Sequence, residues 1–189
     1  MGSVRAFVAI RPPPDVISDV GAILSRLRSS DADFRWESVE KLHATVKFLG
    51  NVGESMLPLV YDATRRSAGD LGPFEVVFEK LGGFPDARHP RVVWVGCRDV
   101  SGSLETFKGR LDDALTPLGF EKDDRAFKPH ITLGRAKSPR GLPNLLSLLE
   151  NLTFEPRSAS IDGIVVLKSV LHSQGAEYSL LHSIQLPTP

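Results

Sequence analysis

The chain is poor in cysteine: Cys97 is the only one in 189 residues. An internal disulfide is therefore excluded, and a reducing, cytoplasmic setting is expected. Charge of one sign is not in excess either. Lys and Arg number 23, Asp and Glu also 23, so the formal net charge is +0. No global field draws such a chain to nucleic acid or to a membrane surface, and any anion site must be local. Long apolar runs are missing as well. The one near the start, Val4 to Ile10, is interrupted by Arg5 and stopped at Arg11-Pro12. That is too short for a secretory signal or a membrane span.

What remains is an ordinary globular composition, 41% hydrophobic and 24% charged. The length suits one large domain or two small lobes sharing a core. Within it, two stretches are versions of one another: Lys41-Leu42-His43-Ala44-Thr45-Val46-Lys47-Phe48-Leu49-Gly50 and Lys128-Pro129-His130-Ile131-Thr132-Leu133-Gly134-Arg135. Each carries His-x-Thr followed by an apolar residue. Side chains alternate along a strand, so His43 and Thr45 point one way, and Ala44, Val46 and Phe48 the other. His130 and Thr132 likewise oppose Ile131 and Leu133. Each stretch reads as a core strand that buries one face and offers an imidazole and a hydroxyl from the other.

The setting strengthens the pair. Arg5 begins a strand 38 residues before His43, and Arg91 begins one 39 residues before His130. Between them lie helical patterns: Val16, Ile17, Val20, Ile23, Leu24 and Leu27 in the first half, and Val100, Leu104, Phe107, Leu111, Leu115 and Leu118 in the second. A further helix follows each motif, over Ser55 to Ala68 and Leu142 to Leu152. Strands are expected over Phe74 to Leu81, Ser158 to Leu171 and Glu177 to Gln185, with Gly82 to Pro90 as the mid-chain connection. The order strand, helix, His-x-Thr strand, helix, strand in both halves suggests an internal duplication. A pseudo-two-fold arrangement then places both His-x-Thr faces at one cleft. The rival reading is repeated core packing, with His43 and His130 buried and far apart.

A facing histidine pair suits phosphoryl chemistry. One neutral imidazole takes a proton from the attacking oxygen, and the other, protonated, gives one to the departing oxygen. Each threonine hydroxyl can hold a non-bridging oxygen as charge builds. Two histidines without Asp or Glu in either motif are too few ligands for a zinc site, so no metal and no cofactor is expected. His89, His172 and His182 have no Thr two places on and read as surface or structural residues, and Cys97 reads as buried and inert. Basic residues cluster locally: Lys41 and Lys47 beside the first motif, and Lys122, Arg125, Lys128, Arg135, Lys137 and Arg140 around the second. They read as a solvated rim or a phosphate-binding surface. Strict alternation puts Arg135 on the face opposite His130, and only a bulge or strand end at Gly134 would bring it to the cleft.

With these residues in view, the chain resembles the 2H phosphoesterases, named for paired His-x-Ser/Thr motifs. More narrowly it resembles the RNA 2′,3′-cyclic phosphodiesterases, also called 2′-5′ RNA ligase-like proteins. The resemblance runs through Arg5-Ala6-Phe7-Val8-Ala9-Ile10, Trp36, the first motif, Arg91-Val92-Val93-Trp94-Val95-Gly96, and Phe127 to Arg135. Val46 departs from the leucine the family often has there.

The resemblance implies one bilobal α+β domain over residues 1–189, with halves of about 1–85 and 90–189. Two sheets rich in antiparallel strands would flank a central cleft, with helices outside. It implies a monomer acting, without metal or membrane, on RNA or nucleotides that end in a 2′,3′-cyclic phosphate. The product would be a 2′-phosphomonoester, with weak reverse 2′-5′ ligation. His43 would be the proton donor and His130 the proton acceptor. Thr45, Thr132 and Arg135 would hold the phosphate. Alternatives are a phosphodiesterase for 2′-5′ oligonucleotides or small cyclic nucleotides, and a non-catalytic RNA-end-binding protein.

Overall fold

A computed structural model describes residues 2–173 and 175–188. The chain forms nine strands and four α-helices among these residues. The strands are β1 (Ser3–Ile10), β2 (Phe34–Trp36), β3 (Ala44–Gly53), β4 (Phe74–Phe84), β5 (Val92–Asp99), β6 (His130–Ala136), β7 (Arg157–Ile161), β8 (Gly163–His172) and β9 (Gly175–Gln185). The helices are α1 (Pro14–Arg28), α2 (Leu57–Ala68), α3 (Ser103–Leu115) and α4 (Leu142–Asn151). The mixed α and β character matches the expected class. No helix among the described residues is long and apolar enough to cross a membrane.

All strand pairs are antiparallel and follow the order β7-β4-β5-β6-β3-β1-β8-β9, with β2 on β6. The two expected sheets are thus two four-strand groups, β7-β4-β5-β6 and β3-β1-β8-β9. A single pair, Ala44 with Ile131, joins them into one path. Each group draws strands from both halves of the chain. β4 crosses to pair with β5, and β8 returns to pair with β1.

The stretch expected to be one strand, Ser158 to Leu171, divides at Asp162. β7 ends on β4, whereas β8 starts beside β1 and β9. The Asp162 carbonyl breaks the run by accepting from the Leu186 amide at 2.8 Å. β4 also runs three residues past Leu81, through glycines expected to lie in a turn. Gly82 pairs with Trp94, and a Cβ on it would lie 2.2 Å from the indole. Only glycine lets the ring lie across the strand.

The helices cover one face of the sheet. α1 starts after Pro12-Pro13 and turns Val16, Val20, Leu24 and Leu27 inward; α3 does the same with Leu104, Phe107, Leu111 and Leu115. Val100 lies outside α3 and is exposed, because the helix begins only after Gly102. The main core lies between these helices and the inward residues of the strands, including Ala6, Val8, Ile10, Val93, Val95 and Ile131. Phe7, Ala9, Val165 and Leu167 make a second, small cluster with Tyr178 on the other face. β1 is therefore buried on both sides, and its sequence shows the continuous apolar run of such a strand.

Bulges reshape the histidine strands. Against β1, the register of β3 slips twice, so that Ala9 faces Thr45, Val8 faces Lys47, Phe7 faces Phe48 and Ala6 faces Gly50. Val46 and Lys47 are then both buried, and Phe48 turns to the opposite face. The expectation that Phe48 joins the core is corrected: it is 63% exposed. Each bulge adds one residue, and each addition reverses the alternation beyond it.

Candidate active site

Ala44 and Ile131 are opposite each other and buried. Their neighbours leave the sheet on the other side. His43 and Thr45 on one strand therefore share a face with His130 and Thr132 on the next. The two motifs lie side by side on adjoining antiparallel strands instead of confronting each other from separate sheets.

The imidazoles are held in matching ways. His43 Nδ1 donates to the Lys41 carbonyl at 2.7 Å, and His130 Nδ1 donates to the Lys128 carbonyl at 2.7 Å. A carbonyl can only accept, so the proton of the neutral ring sits on Nδ1 and leaves Nε2 free. Each ring is also clasped by aromatic side chains. Phe7 lies 4.9 Å and Tyr178 5.0 Å from the His43 ring centre, the tyrosine edge-on. Phe84 lies 5.0 Å and Trp94 6.1 Å from that of His130.

These rings explain the electrostatics. Burial pushes His43 below the ordinary imidazole pKa; the bond to the Lys41 carbonyl opposes this, and the charges of Arg11, Arg135 and His130 add to the lowering. Burial also lowers His130, the Lys128 carbonyl opposes it, and Arg135 adds to the fall. An anion bound beside the rings would offset the positive charge near each.

Arg135 reaches this face through a bulge. Val93 faces Gly134 and Trp94 faces Thr132, so Leu133 is the extra residue and both Leu133 and Gly134 are buried. Arg135 then returns to the histidine side and is exposed. Glycine is needed at the bulge: a Cβ on Gly134 would lie 2.5 Å from the Trp36 ring. In the other motif, counting through the bulge at Val46 and Lys47 brings Phe48 to the place that Arg135 holds here. Its ring centre is 6.1 Å from that of Phe7, so it offers an apolar surface beside His43.

Several basic residues lie elsewhere. Lys47 is 2% exposed, turned to the helix side and ion-paired with Asp112 and Asp123, so it is no part of a rim. Lys122 pairs with Asp113, and Lys137 and Arg140 flank Asp33. His89 and His172 are exposed beside Asp86 and Glu177, and His182 stacks on Tyr61 at 4.6 Å. Cys97 is buried and its thiol pKa is pushed up. Among the described residues no three His, Cys, Asp or Glu side chains group as a metal would require.

Sequence reasoning missed Phe7, Tyr178, Phe84 and the cleft-facing Phe48. Phe7 carried a readable signal, since it alternates with Ala6 and Val8 in a strand apolar on both faces. Tyr178 and Phe84 arrive from strands remote in sequence and carried none.

Residues 11–172 match the family described as the 2′-5′ RNA ligase superfamily. A Methanothermobacter thermautotrophicus protein named RNA 2′,3′-cyclic phosphodiesterase is 32% identical over 97% of this chain and 99% of its own. An Archaeoglobus fulgidus protein of the same name is 37% identical over 80% of this chain and 82% of its own. Among solved structures, a Thermus thermophilus protein superposes with a TM-score of 0.80 at 25% identity, over 96% of this chain and 97% of that one. Escherichia coli LigT complexed with 3′-AMP gives 0.76 at 22% identity, over 99% and 100%, a likeness of fold.

Proposed function

The chain belongs to the 2′-5′ RNA ligase superfamily, and from that premise we propose that it is a cyclic phosphodiesterase. It hydrolyses RNA or nucleoside 2′,3′-cyclic phosphates to 2′-phosphomonoesters, with weak 2′-5′ ligation when a 5′-hydroxyl attacks phosphorus in place of water. The observation that carries the reading is the paired tether: two histidines on adjoining strands, each bound through Nδ1 to the carbonyl two residues back. Each then has Nε2 free for proton transfer.

In the hydrolytic step, His130 Nε2 takes a proton from water as the water oxygen attacks phosphorus. The bond from phosphorus to the 3′ oxygen breaks, and His43, entering as imidazolium, gives its Nε2 proton to that oxygen. Thr45 and Thr132 donate to non-bridging oxygens, and Arg135 holds the developing charge. Phe48 gives a base an apolar ring to stack on. The step needs no metal, and a protein with one buried cysteine suits the reducing cytoplasm.

The test is product analysis on a nucleoside 2′,3′-cyclic phosphate with EDTA present, followed across pH. Only 2′-phosphate should form, at a rate EDTA leaves unchanged. The base must be neutral and the acid charged, so kcat/KM should be bell-shaped. Lowered pKa values move both limbs the same way: the base stays neutral to lower pH, and the acid loses its proton at lower pH. The bell should therefore centre below the ordinary imidazole value of 6.5. A bound phosphate favours the charged rings, so the bell for kcat should lie at higher pH. Activity lost to EDTA and restored by a divalent metal would refute the reading.

Arg135→Ala should lower kcat/KM on a nucleoside cyclic phosphate by about 10- to 100-fold, the worth of a charge-assisted phosphate contact. Lys137→Ala, on a rim position, should change it by less than about threefold. Equal small effects would mean that Arg135 does not touch the phosphate.

A further inference from the structure

The sheet sets two arginines directly opposite each other. Arg35 on β2 is the register partner of Arg135 on β6. Opposed side chains share a face, so Arg35 rises on the histidine side with Arg135. Like charges so placed cost stability unless an anion joins them. Arg35 donates to the Ser173 carbonyl at 3.0 Å, and neither arginine has a carboxylate within ion-pair distance among the described residues. The carboxyl just past β2, Glu37, is half-buried, and burial raises its pKa against the lowering charges of Arg135, Lys41 and Arg35, so it is a weak counter-charge for the two arginines. Beside Arg35 opens a groove of about 430 Å³ lined by Phe34, Arg35, Lys137 and Ser173. Lys137 stands 3.6 Å from Asp33 Oδ1, while the Ser138 hydroxyl donates to Oδ2 of the same carboxylate at 2.6 Å. Two cations, Arg35 and Lys137, thus line a groove beside the register partner of Arg135.

We propose that this groove is a second phosphate subsite, in which Arg35 and Lys137 hold the phosphate on the 5′ side of the terminal nucleotide while Arg135 serves the cyclic phosphate. The substrate class is then an RNA 3′ end, or a nucleotide bearing a 5′-phosphate, in preference to a free nucleoside cyclic phosphate. The inference rests on the phosphodiesterase reading for its substrate and on the arginine pair for its place.

The experiment compares three substrates: a nucleoside 2′,3′-cyclic phosphate, the same compound with a 5′-phosphate, and a dinucleotide ending in the cyclic phosphate. The native protein should favour the two phosphate-bearing compounds in kcat/KM by about 10- to 100-fold. Arg35→Ala should remove most of that advantage while its rate on the nucleoside compound stays within about twofold. Lys137→Ala should remove part of it, and Arg35→Lys should keep part. A gain confined to the dinucleotide identifies the diester as the ligand, and a gain on both shows that any phosphate suffices. Absence of preference in the native protein, or an equal slowing of all three substrates by Arg35→Ala, overturns the subsite. Calorimetric binding of a nucleoside 2′-phosphate and the matching 2′,5′-bisphosphate reads the subsite without turnover. If nothing is hydrolysed yet the bisphosphate binds more tightly and Arg35→Ala abolishes the difference, the hydrolytic reading fails and the subsite stands. Equal binding of both compounds overturns the subsite, whatever the turnover.

Discussion

Alanine in place of either His43 or His130 is expected to slow hydrolysis of an ordinary 2′,3′-cyclic phosphate by about 10²- to 10⁴-fold, but sulfur at the 3′ bridging position should restore only the His43 variant. A thiolate leaves without a proton, so a substrate that carries sulfur there has no use for the general acid. The base still has water to activate, and its loss stays costly. The experiment is needed because the surroundings of the two rings are near equivalents. Both have Nδ1 on a backbone carbonyl, both are packed against two aromatic rings, and burial lowers both. None of these features says which ring enters the reaction charged. The assignment of His43 as acid comes from the family motif alone. Selective rescue of His130→Ala would reverse the roles. Rescue of neither would mean that protonating the leaving oxygen is not what either ring mainly supplies.

The motif strands were legible because their alternation reports burial directly. His43 with Thr45, and His130 with Thr132, stay in phase with Ala44 and Ile131, and those two pairs lie ahead of every bulge. Beyond the bulges, local sequence no longer reports the face. Phe48 and Lys47 exchange their expected sides because an extra residue at Val46 advances the phase by one. The same event in β6 delivers Arg135 to the cleft. There the sequence holds a trace of it, because Gly134 accommodates Trp36 and a charged residue follows at once. In β3 the bulge is set by how β1 pairs with it, and pairing is a long-range fact. The exchange of β4 and β8 between strand groups is equally non-local. Each half reads as strand, helix, strand, helix, strand whether its last strand stays or crosses over. The aromatic clasp follows the same rule: Phe84 comes from the crossing end of β4 and Tyr178 from β9, so neither is near the motif it serves.

Lys47→Met is expected to destabilise the fold by about 3 kcal/mol, at the lower end for breaking a buried ion pair, or roughly 6–12 °C in Tm for a chain of this size. The reason is the company this lysine keeps. Its Nζ donates to the Glu121 carbonyl and lies 2.9 Å from Asp112 Oδ1 and 3.3 Å from Asp123 Oδ2. Asp112 Oδ1 has no hydrogen-bond partner, so its contact with Lys47 is an ion pair without a hydrogen bond. Lys108 bonds both carboxylates from α3 and remains after the substitution, which holds the loss to the lower end. Methionine keeps the aliphatic stem packed and removes the charge, so the loss reads the ion pair and not a cavity. The cost should reach the site as well. Lys47 lies four residues after His43, and Glu121 opens the segment that leads through Lys128 to His130. The bond between them ties one motif to the approach of the other. At a temperature where the variant is fully folded, kcat/KM should fall by about tenfold, as expected when a supporting contact lets a catalytic group drift. Pairing Lys47→Met with Asp112→Leu, compared with each alone, separates charge from packing. If the cluster acts as an ion pair, the double variant loses less than the two single losses added, by about 0.5–3 kcal/mol. Additive losses, or a Tm shift under about 2 °C for Lys47→Met, would show that this lysine neither neutralises the cluster nor holds the His130 segment in place.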